Sequence, residues 1–388
     1  MKFFHISDLH IGKQLHGYSL IEDQRFILNQ ILEKIDEEKP QALLIAGDIY
    51  DKSIPSTDAV ELLDGFLTSL SRIQDLEVFL ISGNHDSDRR LDFASRILSR
   101  QGIHVAGMAP NVSQPEIVRR EVEDEYGKVN IYLVPFVKPS YVREIYPDRE
   151  IHSYEEAFGC LLEDGGIRQE ERNLLVAHQF FVNGGERPAE SESETYRVGG
   201  QDSMDIRILG ELFEYVALGH LHAPQKIGRE TCRYCGSPLK YSVSEEHQKK
   251  AITVVEILEK GRTDISLIPL KPLRDVRSIK GNLEEVLALG NEGGRAVCED
   301  YISIILTDEE ELYEPKAALQ NVYPNLLEWS VDNTRTRHEI ERLTEEVKIQ
   351  SPMESFVEFY EQMQGVSLSE EEERLMMRVI ERAGGESR

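Results

Sequence analysis

Five short segments of this 388-residue chain gather the residue types that bind divalent cations: Asp8-Leu9-His10, Gly47-Asp48-Ile49-Tyr50-Asp51, Gly83-Asn84-His85-Asp86, His178, and Gly219-His220-Leu221-His222. Imidazole nitrogens mixed with carboxylate and amide oxygens suit Mn²⁺, Fe²⁺ or Zn²⁺, and the set lacks the thiolates of a structural zinc site. The chemistry such a set supports is metal-assisted hydrolysis, in which a bound divalent ion lowers the pKa of a water. In an extended segment residues i and i+2 share a face, so Asp8 and His10 are expected to bind one ion together. His220 and His222 do the same unless a bend at the strand end sends them to different ions. Gly47, Gly83 and Gly219 each precede a candidate ligand, where the missing Cβ lets the backbone turn sharply. A lone DxH or HxH is a weak signal, whereas the ordered series of five is a strong one.

Each segment follows an apolar, β-rich run: Lys2 to Ile6, Ala42 to Ala46, Val78 to Ile81, Leu174 to Ala177, and Tyr215 to Leu218. Between the early runs lie helical patterns such as Ile27, Ile31, Leu32 and Ile35. This alternation predicts an α/β domain whose sheets are buried on helix-covered faces. The carboxyl ends of strands in such sheets converge on one rim, so loops distant in sequence can surround one point. From Gly184 to Asp205 the composition is that of a loop, read as solvated surface rather than a substrate lid. His5, inside an apolar strand, reads as a hydrogen-bonded core residue.

After Pro269-Leu270-Lys271-Pro272 the pattern restarts as strand (Val276 to Ile279), helix (Leu283 to Leu289), strand (Tyr301 to Leu306), helix (Pro315 to Val322) and strand (Leu326 to Val331). A βαβαβ unit of this size is marginal alone and is expected to lean on the first domain. The organisation expected is a catalytic domain over residues 1–271, a small α+β domain over 272–332, a polar tether over 333–350, and two helices over 351–388. Ser351 with Pro352 and Glu354, and Ser369 with Glu372, have the form of capping boxes; Gly365 and Gly384 stand where glycine caps end helices. Met353, Phe356, Val357, Tyr360 and Met363 form one apolar stripe, and Leu375, Met376, Val379, Ile380 and Ala383 a second.

A formal charge of −27 argues against free, tight binding to nucleic acid, unless metals offset the acidic site and a partner supplies much of the grip. No window approaches the roughly 20 apolar residues of a membrane span, and the start lacks a signal-peptide pattern, so a cytoplasmic protein is expected. Four cysteines, Cys160, Cys232, Cys235 and Cys298, are too few for a disulfide framework. Cys232 and Cys235 form a lone CxxC, read as chance spacing in a turn rather than a zinc or redox pair.

The ordered set resembles the signature of the calcineurin-like metallophosphoesterases. The resemblance implies two stacked mixed β-sheets flanked by helices and a pair of metals bridged by one carboxylate. Carried over position by position, Asp8, His10 and His222 would hold one metal, and Asn84, His178 and His220 the other. Asp48 would bridge them, His85 would sit beside the pair without ligating either ion, and Asp51 reads as orienting a ligand. The chain is also similar over nearly its whole length to the bacterial SbcD family. The residues that carry this are Gly83 to Ser87 with Arg90-Leu91, Val134-Pro135-Phe136 with Pro139, and Ala177-His178-Gln179. Gly219 to His222 with Pro224-Gln225, Cys235 to Ser242, and Asp300-Tyr301-Ile302 with Leu306-Thr307-Asp308 extend it. Cys235 departs from the serine usual there, and no ligand position is missing.

That family resemblance implies a DNA nuclease of repair and recombination, working with Mn²⁺ and paired with the coiled-coil ATPase SbcC, as a homodimer within a heterotetramer. The small domain would position DNA, and the C-terminal helices would dock the ATPase. His85 is expected to protonate the departing 3′ oxygen of a 3′ to 5′ exonuclease, oriented by Asp86; the alternative is a hydrogen bond to a non-bridging phosphate oxygen. Arg89, Arg90, Lys240 and Tyr241 either reach DNA phosphates or serve no ligand. A small-molecule phosphatase or cyclic-nucleotide phosphodiesterase of the same fold suits the acidic charge better, but needs neither the small domain nor the terminal helices. A non-catalytic scaffold would have lost ligands, and this sequence has lost none.

Overall fold

The computed structural model describes residues 1–194, 203–293 and 298–336, with separate positions between 353 and 376. The Lys2–Ile6 strand lies inside a six-stranded sheet in the order Thr263–Pro269, Ala251–Ile257, Lys2–Ile6, Ala42–Ala46, Glu77–Ile81, Ile103–Ala106. The last four strands run parallel, and Ala251–Ile257 pairs antiparallel with both of its neighbours. A second six-stranded sheet has the order Gln225–Ile227, Arg229–Tyr234, Tyr215–Gly219, Arg172–His178, Gly127–Val134, Val118–Asp124. Its four middle strands are parallel and its edges antiparallel. Both sheets are thus mixed, as expected.

Strand alternation sorts the apolar residues into layers. Successive side chains point to opposite faces, so Phe3, Leu44, Phe79 and Ile81 join Ile131, Leu174 and Val176 in a core between the two sheets. Phe4, Leu43, Ile45 and Leu80 face the other way and pack with the helices Ile21–Glu38 and Thr57–Leu70. On the second sheet Leu175, Ala177 and Val216 pack with the helix Tyr154–Asp164 through Phe158 and Leu161. Burial on both faces explains why the strands read as unbroken apolar runs rather than alternating ones.

At the amino end of the first strand, away from the ligand-bearing loops, the Met1 ammonium meets Asp124 Oδ2 at 2.6 Å and the Ile257 carbonyl at 2.7 Å. Arg172 binds the same carboxylate through both terminal nitrogens, at 2.7 and 2.8 Å. The Arg172 guanidinium and the Met1 ammonium together hold the Asp124 carboxyl well below the usual carboxylate range against the opposing effect of burial.

Residues 272–332 take the order read from the sequence, with strands Val276–Gly281, Tyr301–Leu306 and Leu326–Val331 in one sheet and helices Leu283–Glu292 and Pro315–Val322. Positions to Ile305, and Glu314–Trp329, belong to the same compact unit as the two large sheets; Leu306–Tyr313 and the chain from Ser330 form a second. Within the first unit, Asp23 on the Ile21–Glu38 helix accepts from Arg274 Nε at 3.1 Å and from the Tyr301 hydroxyl at 2.9 Å. Tyr18 donates its hydroxyl to the Pro324 and Leu326 carbonyls.

Within the second unit, Asn333 Nδ2 donates to the Asp308 carbonyl at 2.9 Å. Ser369 and Glu372 bond reciprocally through side chain and backbone, as a capping box requires. The Tyr360 hydroxyl donates to Glu372 at 2.9 Å, and Phe359, Met363 and Leu375 are exposed. Ser351, Pro352, Glu354, Gly365, Val379, Ile380, Ala383 and Gly384 lie outside the described residues.

Candidate metal centre

All five motif segments leave carboxyl ends of strands and meet between the sheets. His178 ends its strand in extended backbone, whereas Asp8, His10, Asp48 and His220 all have positive φ, of 53°, 42°, 48° and 103°. Left-handed backbone at non-glycine residues persists only where surrounding contacts impose it, and it gathers at functional sites. Asp8 and His10 therefore converge by a tight turn rather than by the pleat. Two of the three glycines act by close approach rather than by turning. A Cβ on Gly83 would stand 2.1 Å from Asp48 Oδ1, and one on Gly219 would stand 1.8 Å from the Ala46 carbonyl oxygen.

The structure brings every expected ligand to one place. Donor atoms of Asp8, His10 and His222 lie within 4.8 Å of one another, as do those of Asp8, Asp48 and His178. Asn84 Oδ1 sits 3.0 Å from His178 Nε2 and 2.9 Å from His220 Nδ1. Asp48 stands between the groups, its Oδ2 3.6 Å from His10 Nε2 and 3.3 Å from His178 Nε2. His178 donates Nδ1–H to the Ala46 carbonyl at 2.8 Å, which leaves Nε2 to face the carboxylates.

The electrostatics of these buried groups call for positive charge. Burial, with Asp48 nearby, pushes the Asp8 carboxyl up to about 8. Burial opposes charge on His178 too, yet Asp48 and Asp8 raise it to about 9, so a proton is held where two carboxylates face. Burial lowers His10 well below its ordinary value and His220 to about 3, keeping both rings neutral with lone pairs to offer. The Nε2 atoms of His10 and His222 face each other at 3.1 Å, and among the described residues the buried His10 Nδ1 has no hydrogen-bond partner. Neutral imidazoles and crowded carboxylates fit divalent cations.

His85 lies beside this set, its ring edge-on to His10 at 4.8 Å and its backbone N–H donating to Asp48 Oδ1 at 2.9 Å. Its Nδ1 is 3.0 Å from the Asp51 carbonyl oxygen. Donor atoms of His85, His10 and Asp51 also lie within 4.8 Å. Asp86 serves both turns at once: its carboxylate accepts from the amides of Ile49 and Gly83 at 3.0 and 2.9 Å and from Tyr50 at 2.9 Å. It fixes the backbone on which His85 stands, rather than making the direct bond to the imidazole read from the sequence. Asp51 accepts from Lys13 Nζ at 2.9 Å. Lys240 points inward to Asp275, 2.8 Å away, and Tyr241 is buried with its hydroxyl on the Leu9 carbonyl and its ring edge-on to those of His10 and His222.

Several contacts had no sequence signal. Gln24 Nε2 donates to the Leu9 and His10 carbonyls at 3.2 and 2.7 Å, and its Oε1 accepts from Gly12 N at 2.9 Å. Within the polar segment after Gly184, of which residues 195–202 lie outside the described residues, Ser193 Oγ is 2.7 Å from His222 Nδ1, and Glu194 accepts the His222 amide at 2.7 Å. Burial raises the Glu194 carboxyl to about 7. Cys232 and Cys235 are free and buried; Cys235 Sγ contacts Ser7 Oγ at 3.0 Å, and Ser7 in turn donates to Asp8.

A family model described as calcineurin-like phosphoesterase matches residues 1–224, and the chain belongs to that family. A second, described as type 5 capsule protein repressor C-terminal domain, matches residues 272–364. Within the family the chain groups with the SbcD components of the SbcCD nuclease. It is 31% identical over 377 residues to the SbcD component of the SbcCD nuclease of Staphylococcus epidermidis, covering 95% of each chain. It is 32% identical over 390 residues to the protein of the same name from Staphylococcus saprophyticus, covering 98% of each. Among solved structures, a dimetal phosphatase from Danio rerio covers 69% of this chain and 95% of its own, with 14% identity and a TM-score of 0.41.

Proposed function

We propose that the chain is the Mn²⁺-dependent nuclease component of a DNA repair complex, acting in the cytoplasm with a coiled-coil ATPase. The observation that carries this reading is a buried donor set in which one carboxylate, Asp48, faces histidines of both groups, with His85 beside it. When bound, two divalent ions supply a nucleophile at neutral pH and positive charge against the phosphoryl oxygens. In this reading Asp8, His10 and His222 hold one ion, Asn84, His178 and His220 the other, and Asp48 both. Asp86 holds the two turns in register, and His85 gives a proton to the departing 3′ oxygen. His85→Asn should retain both metals by elemental analysis and lose most Mn²⁺-dependent cleavage; near-normal turnover would remove the proton-donor role.

Residues 272–332 would position DNA, and residues 351–388 would dock the ATPase. The family relation and the exposed Phe359, Met363 and Leu375 support the second assignment. The homodimer within a heterotetramer rests on the family relation, and an apolar groove lined by Val60, Leu63, Leu67 and Phe93 offers a surface for it. The test is incubation of the pure chain with labelled hairpin and linear duplex DNA in Mn²⁺, with and without the ATPase. We expect cleavage in the complex, with the ATP-stimulated activity lost when the chain ends at Gln350, while hydrolysis of a small phosphodiester by the isolated chain persists. Absent DNA cleavage alongside rapid small-phosphodiester hydrolysis would make the protein a small-molecule phosphodiesterase instead.

A further inference from the structure

His222 is held on its ring, its amide and its carbonyl by charged groups outside the ligand set. Nε2 faces the donor cluster, while Nδ1 points away, 2.7 Å from Ser193 Oγ and 3.3 Å from Glu245 Oε1. An imidazole offers a lone pair only from the nitrogen without a proton, so whatever Nδ1 meets decides whether Nε2 is bare. An ionised carboxylate accepts and never donates. Glu245 is therefore compatible with one tautomer, that with hydrogen on Nδ1. The Ser193 hydroxyl relays the same instruction: it lies 2.5 Å from Glu245 Oε1, donates there, and accepts from Nδ1.

Glu245 does this from the protein interior. Its side chain is fully buried, and Lys250 Nζ, itself 5% exposed, stands 2.6 Å from Oε2. A buried charge persists when it is paired and hydrogen-bonded. Tyr241 N and Ser242 Oγ also donate to Glu245 Oε1, at 3.2 and 3.3 Å. Lys250 reaches the His222 carbonyl as well, at 2.9 Å, so one ion pair grips the residue at ring and backbone. Because the pair is neutral as a unit, it orients the imidazole without adding net negative charge beside Asp8.

We propose that Glu245 is a positioning residue of the metal centre: paired with Lys250 and relayed by Ser193, it locks His222 with Nε2 turned towards the ion shared with Asp8 and His10. The inference rests on reading His222 as a ligand. Carboxylates behind ligating histidines fix the ring and raise its basicity, and their loss costs about 10- to 100-fold in metal affinity.

Calorimetric titration of the metal-free full chain with Mn²⁺ tests it. His222→Ala should remove one of two binding events; if both remain at wild-type affinity, the ligand reading fails and this inference with it. Given that loss, Glu245→Gln should weaken the same event by about 10- to 100-fold and leave the other unchanged. Added to His222→Ala, it should have no further effect on Mn²⁺ binding. Glu245→Gln with Lys250→Met removes the cation together with the charge it balances, and should show the same selective weakening should the single variant fold poorly. Wild-type affinity at both sites in either variant overturns the proposal. So does equal weakening of both sites, or further weakening in the His222→Ala background, because a merely structural residue would act that way.

Discussion

Asp48→Ala should reduce bound Mn²⁺ from about two ions per chain to near zero, measured by elemental analysis after desalting, and abolish cleavage with it. The reason is geometric. One carboxylate oxygen of Asp48 lies 3.6 Å from His10 Nε2 and 3.3 Å from His178 Nε2, and these histidines belong to different donor groups. Removing that oxygen leaves each group short of a ligand and takes away the negative charge that screens two cations from each other. The other Asp48 oxygen accepts the His85 amide at 2.9 Å, so alanine also frees the turn that carries His85. Asp48→Asn keeps an acceptor for that amide while losing the charge, and should release metal almost as completely. A variant that kept two ions would refute the shared role.

Asp124→Asn should cost about 3 to 5 kcal/mol of stability at neutral pH, because it breaks a buried ionic group by removing one partner. The Asp124 and Arg172 side chains are 3% and 6% exposed, so neither Arg172 nor the Met1 ammonium gains compensating water. The sign of the pH dependence follows from the depressed folded-state pKa of Asp124. Its stabilisation is complete above the unfolded value of about 3.9 and is lost as pH falls below that towards the folded value. Denaturant melts of the natural chain should weaken over that acid window, and those of Asp124→Asn should lack this component. Equal stability of the two chains at pH 7 would show that the pair contributes nothing.

The candidate ligands were legible because each sits at or just beyond the end of an apolar run, and such runs are buried on both faces here. The Ala42–Ala46 strand and the three strands and two helices after Pro272 needed almost no adjustment. What escaped was conformation within the loops. The i, i+2 rule assumes a pleat, and left-handed backbone at Asp8 and His10 leaves no trace in residue spacing. The glycines were rightly marked but for a different cause at Gly83 and Gly219, since a close approach depends on a distant partner. Glu245 and Lys250 were invisible for the same reason: in a chain rich in Glu, only tertiary structure tells the buried, paired carboxylate from solvated ones. Polar composition after Gly184 suggested solvent, whereas Ser193 and Glu194 direct their polar groups to His222.

Asp23 and Gln24 are neighbours on the first turn of one helix, yet they hold different things. Asp23 clasps Arg274 and Tyr301, while Gln24 clasps the carbonyls of Leu9 and His10. A single peptide link therefore joins the strand-bearing segment after Pro272 to the loop that carries His10. The two clasps leave adjacent residues of one helical turn, about 100° apart around its axis. The path from Tyr301 to the His10 carbonyl runs through the side chains of Asp23 and Gln24 and the peptide between them. A substitution at Arg274 or Tyr301 therefore removes a partner of the residue next to the one that holds the His10 loop.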